Sequence, residues 1–126
     1  MLISFPQQKT LPATFQVFHR TLQLQTRECL QFIDLTEEIR SFVKQSKFIH
    51  GSVNIQTHHT TASIIVNENE PLLIKDLKRT LERMAPRDAA YQHDDFSVRT
   101  ENLTDDEQPN GHAHCKALLL RTSETL

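Results

Sequence analysis

"PNGHAHCKALLL", Pro109–Leu120, raises the sharpest structural question in this sequence. Two histidines, His112 and His114, stand one residue apart where a polar loop turns into an apolar run. Read as a β-strand, the run carries both imidazoles on one face, roughly 7 Å apart along the backbone. That is close enough to share a metal or a substrate. It is also an ordinary way to begin an exposed strand, so the surrounding sequence has to decide.

Working outward, residues 87–110 form a long polar loop with six acidic side chains and one arginine between Asp94 and Glu107. Before it, "PLLIKDLKRTLERM" places Leu73, Leu77, Leu81 and Met84 at helical spacing, with Pro71 suited to the first turn and Pro86 as the stop. "GSVNIQTHHT" alternates Val53, Ile55, Thr57 and His59 on one face, and "ASIIV" reads as a buried strand. "DLTEEIRSFVKQS" begins with Asp34 three residues before Glu37, a capping-box-like start. It predicts a helix near 35–46 with Gly51 just beyond. "TFQVFHRTLQLQT" (14–26) and "CLQFI" read as strands. Residues 1–13 read as an N-terminal arm and 14–126 as a single domain. The order β-β-α-β-β-α-loop-β predicts an α+β two-layer sandwich: a mixed, mostly antiparallel sheet with two main helices.

A chain of 126 residues, 37% hydrophobic, suits one core. A net charge of −2 gives no basic field for nucleic acid. No apolar run is long enough for a membrane span, and the N-terminus lacks the pattern of a secretion signal. Cys29 and Cys115 lie far apart outside any paired motif, which points to a reduced, cytoplasmic setting. The only glycines, Gly51 and Gly111, exclude a glycine-rich phosphate loop.

Histidines, seven of them, are the only plausible metal ligands in number. His59 continues the face of Val53 and Ile55, whereas His58 belongs to the other. His93 stands in "YQHDD", where Asp94 could accept its second N–H. His114 lies at the mouth of the last strand. One histidine from each of three segments would give a three-imidazole site with an open position, the arrangement of a catalytic zinc. The plainer alternative is three unrelated surface or hydrogen-bonded histidines. Likewise His19 reads as a polar-face residue, His50 as favourable near a helix C-terminus, and Cys115 as a small buried hydrophobe. In "HHTTASIIVNENE", Thr60, Thr61, Ser63 and Asn67 could hold phosphate oxygens and Glu68 could move protons. They read equally as a strand end, a turn and a helix start.

"HTTASIIVNENEP", "DLKRTLERMAP", "Y-x-HDD", "NGHAHCKALLL" and "TSET" follow one another in the order of the motifs of the YjbQ-like family, also described as secondary thiamine-phosphate synthase. The sequence resembles that family from about Thr14 to Leu126. The resemblance implies a compact α+β subunit, a homotrimer, and a metal site, zinc, lined by His59, His93 and His114. It also implies a weak thiamine-phosphate synthase activity, joining hydroxymethylpyrimidine diphosphate to a thiazole phosphate with release of pyrophosphate. Family members run on into a strand carrying G-T-W-Q. This sequence has no tryptophan and ends at Leu126, so a truncated domain with an uncovered sheet edge is expected.

Three functions follow. The first is a metal-dependent enzyme on a phosphorylated small molecule. Thr60, Thr61, Ser63, Asn67 and Lys116 would bind its phosphate, and Glu68 and Asp94 would be the catalytic proton movers. The others are a non-catalytic trimer that binds a metal or anion, and a zinc-dependent phosphate-ester hydrolase.

Overall fold

The computed structural model of the protein describes residues 15–126. The N-terminal arm therefore lies outside the described residues. Among these residues, three α-helices, a 3-10 turn and a two-stranded antiparallel sheet follow in the order α1 (Thr36–Ser46), β1 (Asn54–Gln56), α2 (Pro71–Met84), the 3-10 turn (Gln92–Asp94), α3 (Gly111–Leu118) and β2 (Ser123–Thr125). The architecture is mixed α+β.

The first helix starts where the sequence places it. Asp34 Oδ1 accepts from the Thr36 N–H at 2.9 Å, and Glu37 and Glu38 stand in the positive first turn. The Thr36 hydroxyl and then its N–H hold the Asp34 carboxyl below the usual carboxylate range. The stop is not glycine. Lys47 takes the left-handed conformation, φ 59°, four residues ahead of Gly51. His50 thus lies beyond the helix rather than in its last turn.

Glu70 caps α2, its two carboxylate oxygens accepting from the Leu72 and Leu73 N–H at 2.8 and 2.7 Å, with Pro71 at the first helical position. Leu81 and Ala85, one helical turn apart, are the buried apolar residues among those described. Around them the chain exposes many large apolar side chains, including Ile49 and Leu118 at 89% and 84%.

Short strands replace the long ones expected. Asn54, Ile55 and Gln56 pair with Thr125, Glu124 and Ser123. Reciprocal bonds between Val53 and Leu126, and one from Thr57 to Thr122, extend the ladder at both ends. The Val53–Ile55–Thr57 alternation holds, those three being half-buried between exposed neighbours. It ends there: His59 is exposed and does not continue that face. "ASIIV" contributes one bridge, Ile64 to Arg121, not a strand. Within 15–26 and 29–33 there is no strand among the described residues, and the alternating apolar pattern of Phe15 and Val17 stands exposed. Phe18 stacks on Phe42 of α1, ring centroids 5.0 Å apart, instead of joining a sheet.

The largest correction falls on residues 109–120. Gly111–Leu118 is a helix, not a strand. Ala113, Ala117 and Leu118 are strong helix formers, and a short apolar run carries no periodicity that separates the two states. On a helix, residues two apart point about 200° away from one another. His112 and His114 therefore face opposite ways. Cys115, expected inside, is exposed.

Candidate functional site

The residues around His93 and His114 assemble because one carboxylate docks two elements. Asp94 Oδ1 accepts from the backbone N–H of Asn110 at 2.9 Å and of Gly111 at 2.8 Å. The side chain at the end of the 3-10 turn thus satisfies the unpaired amides at the start of α3 and adds a negative charge to its positive end. Close approach is needed there. A Cβ on Gly111 would stand 2.7 Å from Tyr91 Cβ and 3.2 Å from Asp94 Oδ1, so only glycine fits. Tyr91 is fixed in turn by donation from its hydroxyl to the Pro86 carbonyl at 2.7 Å, and burial pushes its phenol up.

With α3 docked, the His93 and His114 rings meet edge to face, centroids 4.7 Å apart and planes at 68°. Burial, followed by the proximity of His93 and of the Arg99 guanidinium, pushes the His114 imidazole below its ordinary value. Its ring nitrogens make no hydrogen bond among the described residues.

The loop read from sequence as a long polar stretch holds the site in place. Arg99 and Glu107 are each 13% exposed and pair through two contacts, Nη1 to Oε1 at 2.6 Å and Nη2 to Oε2 at 3.3 Å. Arg99 Nε and Nη2 also donate to the carbonyls of Glu101 and Asn102, at 3.2 and 2.6 Å. Donation from Arg99 holds the Glu107 carboxyl below the usual range. The remaining Arg99 contacts reach His93: Nη1 lies 3.1 Å from Nε2 and 3.3 Å from the carbonyl. An open depression of about 480 Å³ lies beside them, lined by Gln92, His93, Val98, Arg99, Glu101 and Asn102. Sequence reading passed over Arg99 and Glu107. Their signal was there, a single arginine among six acids, the one cation that could gather such a loop.

The other expected site residues lie elsewhere. His59 Nδ1 accepts from the Thr61 backbone N–H at 3.2 Å and lies 2.9 Å from Thr61 Oγ1. Thr60 is exposed in the same turn, and Ser63 Oγ is buried with no hydrogen-bond partner among the described residues. Asn67 Oδ1 accepts from the Glu68 N–H at 2.8 Å, and Glu68 is exposed.

Lys116 belongs to the opposite face of α3, one turn from His112. Its ammonium is buried, 3.0 Å from Glu82 Oε2. His112, 7% exposed, places Nε2 3.5 Å from Cys29 Sγ, and burial followed by the Lys116 charge pushes its imidazole down. His112 thus belongs to the packing behind α3.

These placements test the implied zinc. A histidine binds an ion through a free lone pair. The His59 Nδ1 lone pair is taken by Thr61 and the His93 Nε2 lone pair by Arg99. Among the described residues no group of three or more histidine, cysteine, aspartate or glutamate side chains is placed to hold a metal ion. As placed, the residues offer two touching imidazoles and do not fit a three-imidazole zinc, so no chemical step is derived through one. Among the same residues, no helix is long and apolar enough to cross a membrane.

An α+β chain with the histidine of an H-D pair packed on that of an A-H-x-K helix defines a class, and comparison with known proteins identifies it. Residues 20–126 match the family model described as UPF0047 protein YjbQ-like, and the chain belongs to that family. It is 32% identical over 111 residues to a UPF0047 protein of Methanothermobacter thermautotrophicus, covering 88% of this chain and 70% of that protein. It is 30% identical over 102 residues to one from Archaeoglobus fulgidus, covering 81% and 70%. With UPF0047 protein YugU of Bacillus subtilis it shares 35% over 68 residues, 53% of this chain and 52% of that protein. No solved structure gives a significant match.

Proposed function

We propose that the protein binds the phosphate-bearing end of a small molecule at His93 and His114. The observation that carries the reading is the edge-to-face contact of two imidazoles brought together from the 3-10 turn and α3, beside an open depression. Imidazole N–H groups supply donors for phosphate oxygens, and the adjacent Arg99 guanidinium supplies positive charge. His114, with its affinity for protons lowered, supplies a neutral ring that can accept one.

Within that reading, the substrates implied by the resemblance are the pair joined by thiamine-phosphate synthase. Departure of pyrophosphate requires positive charge and donors around it. A zinc remains a proposal at these residues. It would require His93 to exchange Arg99 for the ion and His59 to turn from Thr61. A homotrimer is likewise a proposal, supported by the exposed apolar side chains of a subunit with so few buried ones. Cytoplasmic residence, suggested by two free cysteines, belongs here too.

Calorimetric titration of the purified protein with hydroxymethylpyrimidine diphosphate tests the binding claim. Binding lost in both His93→Ala and His114→Ala is expected. Binding undiminished in both variants would contradict the site. Turnover with the thiazole phosphate then marks a synthase, release of inorganic phosphate from the diphosphate alone marks a hydrolase, and binding without either marks a non-catalytic module. Metal analysis and native mass on the same sample test the zinc and the trimer.

A further inference from the structure

Arg99 has a second effect on the site, which follows from what each group can do. A guanidinium donates hydrogen bonds and never accepts them. Where Arg99 Nη1 stands 3.1 Å from His93 Nε2, that nitrogen must therefore present its lone pair. The alternative partner is Glu107 Oε1, 3.8 Å from the same nitrogen, beyond hydrogen-bond length and with Arg99 Nη1 2.6 Å from that oxygen. Arg99 cannot readily turn aside. All five of its N–H groups are engaged: Nε by the Glu101 carbonyl, Nη2 by the Asn102 carbonyl and Glu107 Oε2, and Nη1 by Glu107 Oε1 with its second hydrogen shared between the His93 carbonyl and Nε2.

We infer that Arg99 is a positioning residue that locks His93 with its proton on Nδ1 and closes Nε2 to cations, so that the site takes an oxyanion rather than a free metal ion. The inference rests on the proposed ligand site at His93 and His114 and names what it selects. His93 offers an N–H donor, and a guanidinium lies behind it. A cation approaching Nε2 would meet the arginine charge at hydrogen-bond distance, where the two exclude each other. The zinc expected from sequence and the arginine found beside His93 are thus competitors for one nitrogen.

Long-range proton–nitrogen NMR of the imidazoles in the ligand-free protein tests this, because it reads which ring nitrogen carries the proton. Wild-type His93 is expected in the Nδ1–H form, and Arg99→Met is expected to shift it to Nε2–H. Arg99→Lys, which keeps the charge and a donor, is expected to restore the Nδ1–H form. With zinc ion alone as the probe, Arg99→Met should bind about tenfold or more tightly than wild type, the scale of changes behind a ligating histidine. Nε2–H in the wild type overturns the inference whatever the variants do. An unchanged Nδ1–H form in Arg99→Met overturns the role of Arg99. Should Arg99→Met disturb the loop, Arg99→Lys decides, and an Nε2–H form there overturns it as well. The tautomer is read without any ligand, so failure of the diphosphate to bind would sink the proposed function and leave this result standing.

Discussion

Asp94 and Gly111 decide whether His93 and His114 meet at all. The carboxylate bridges two backbone amides, and the glycine admits Tyr91 to within a distance no β-carbon tolerates. Asp94→Ala removes a helix-cap acceptor and should cost about 1 kcal/mol, while Asp94→Asn, which keeps an acceptor oxygen, should recover most of it. Denaturant unfolding of the three proteins checks this ordering. Gly111→Ala forces overpacking against Tyr91 and should cost about 1–3 kcal/mol. The sequence showed Asp94 beside His93 and suggested an imidazole partner or a proton mover. Its bonds to Asn110 and Gly111 span 16 and 17 residues, a separation no local pattern encodes.

Among the elements, α1 and α2 were legible because each carries its own start signal, Asp34 for one and Glu70–Pro71 for the other. Helix α3 was not. Eight residues span about two turns, too few for apolar spacing to declare a period, and the acceptor at its N-terminus comes from a distant turn. Read as a strand, the run set His112 on the same face as His114 and hid the buried side of α3 that His112 shares with Lys116. The loop between the 3-10 turn and α3 shows the same limit, since Arg99 and Glu107 read as surface charges until the chain brings them together. That pair predicts an acid response. Glu107 has a lowered folded-state value, so its contribution is complete above the ordinary carboxylate value of about 4.3 and is lost as pH falls through the lower folded one. Amide protection across residues 99–107 should therefore decline below about pH 4. The decline should be absent in Glu107→Gln, measured by hydrogen exchange.

Across the described residues little apolar surface is buried, and Leu81 is the larger of the two buried apolar side chains. Leu81→Ala should cost about 2–4 kcal/mol, enough to threaten folding of a marginal domain. His112 adds a pH dependence of its own. Its folded-state value is lowered by burial, so the unfolded chain binds the proton more readily. Stability should be complete above about pH 6.5 and fall as pH drops from there toward the folded value. Denaturant midpoints between pH 7 and 5 should show the slope, and His112→Gln should flatten it. The site itself rests on two imidazoles, from positions 21 residues apart, sharing one contact. A proton NOE experiment on the ligand-free protein tests that directly. Cross-peaks between the ring protons of His93 and His114 are predicted, and their absence, with both rings assigned and ordered, would contradict it.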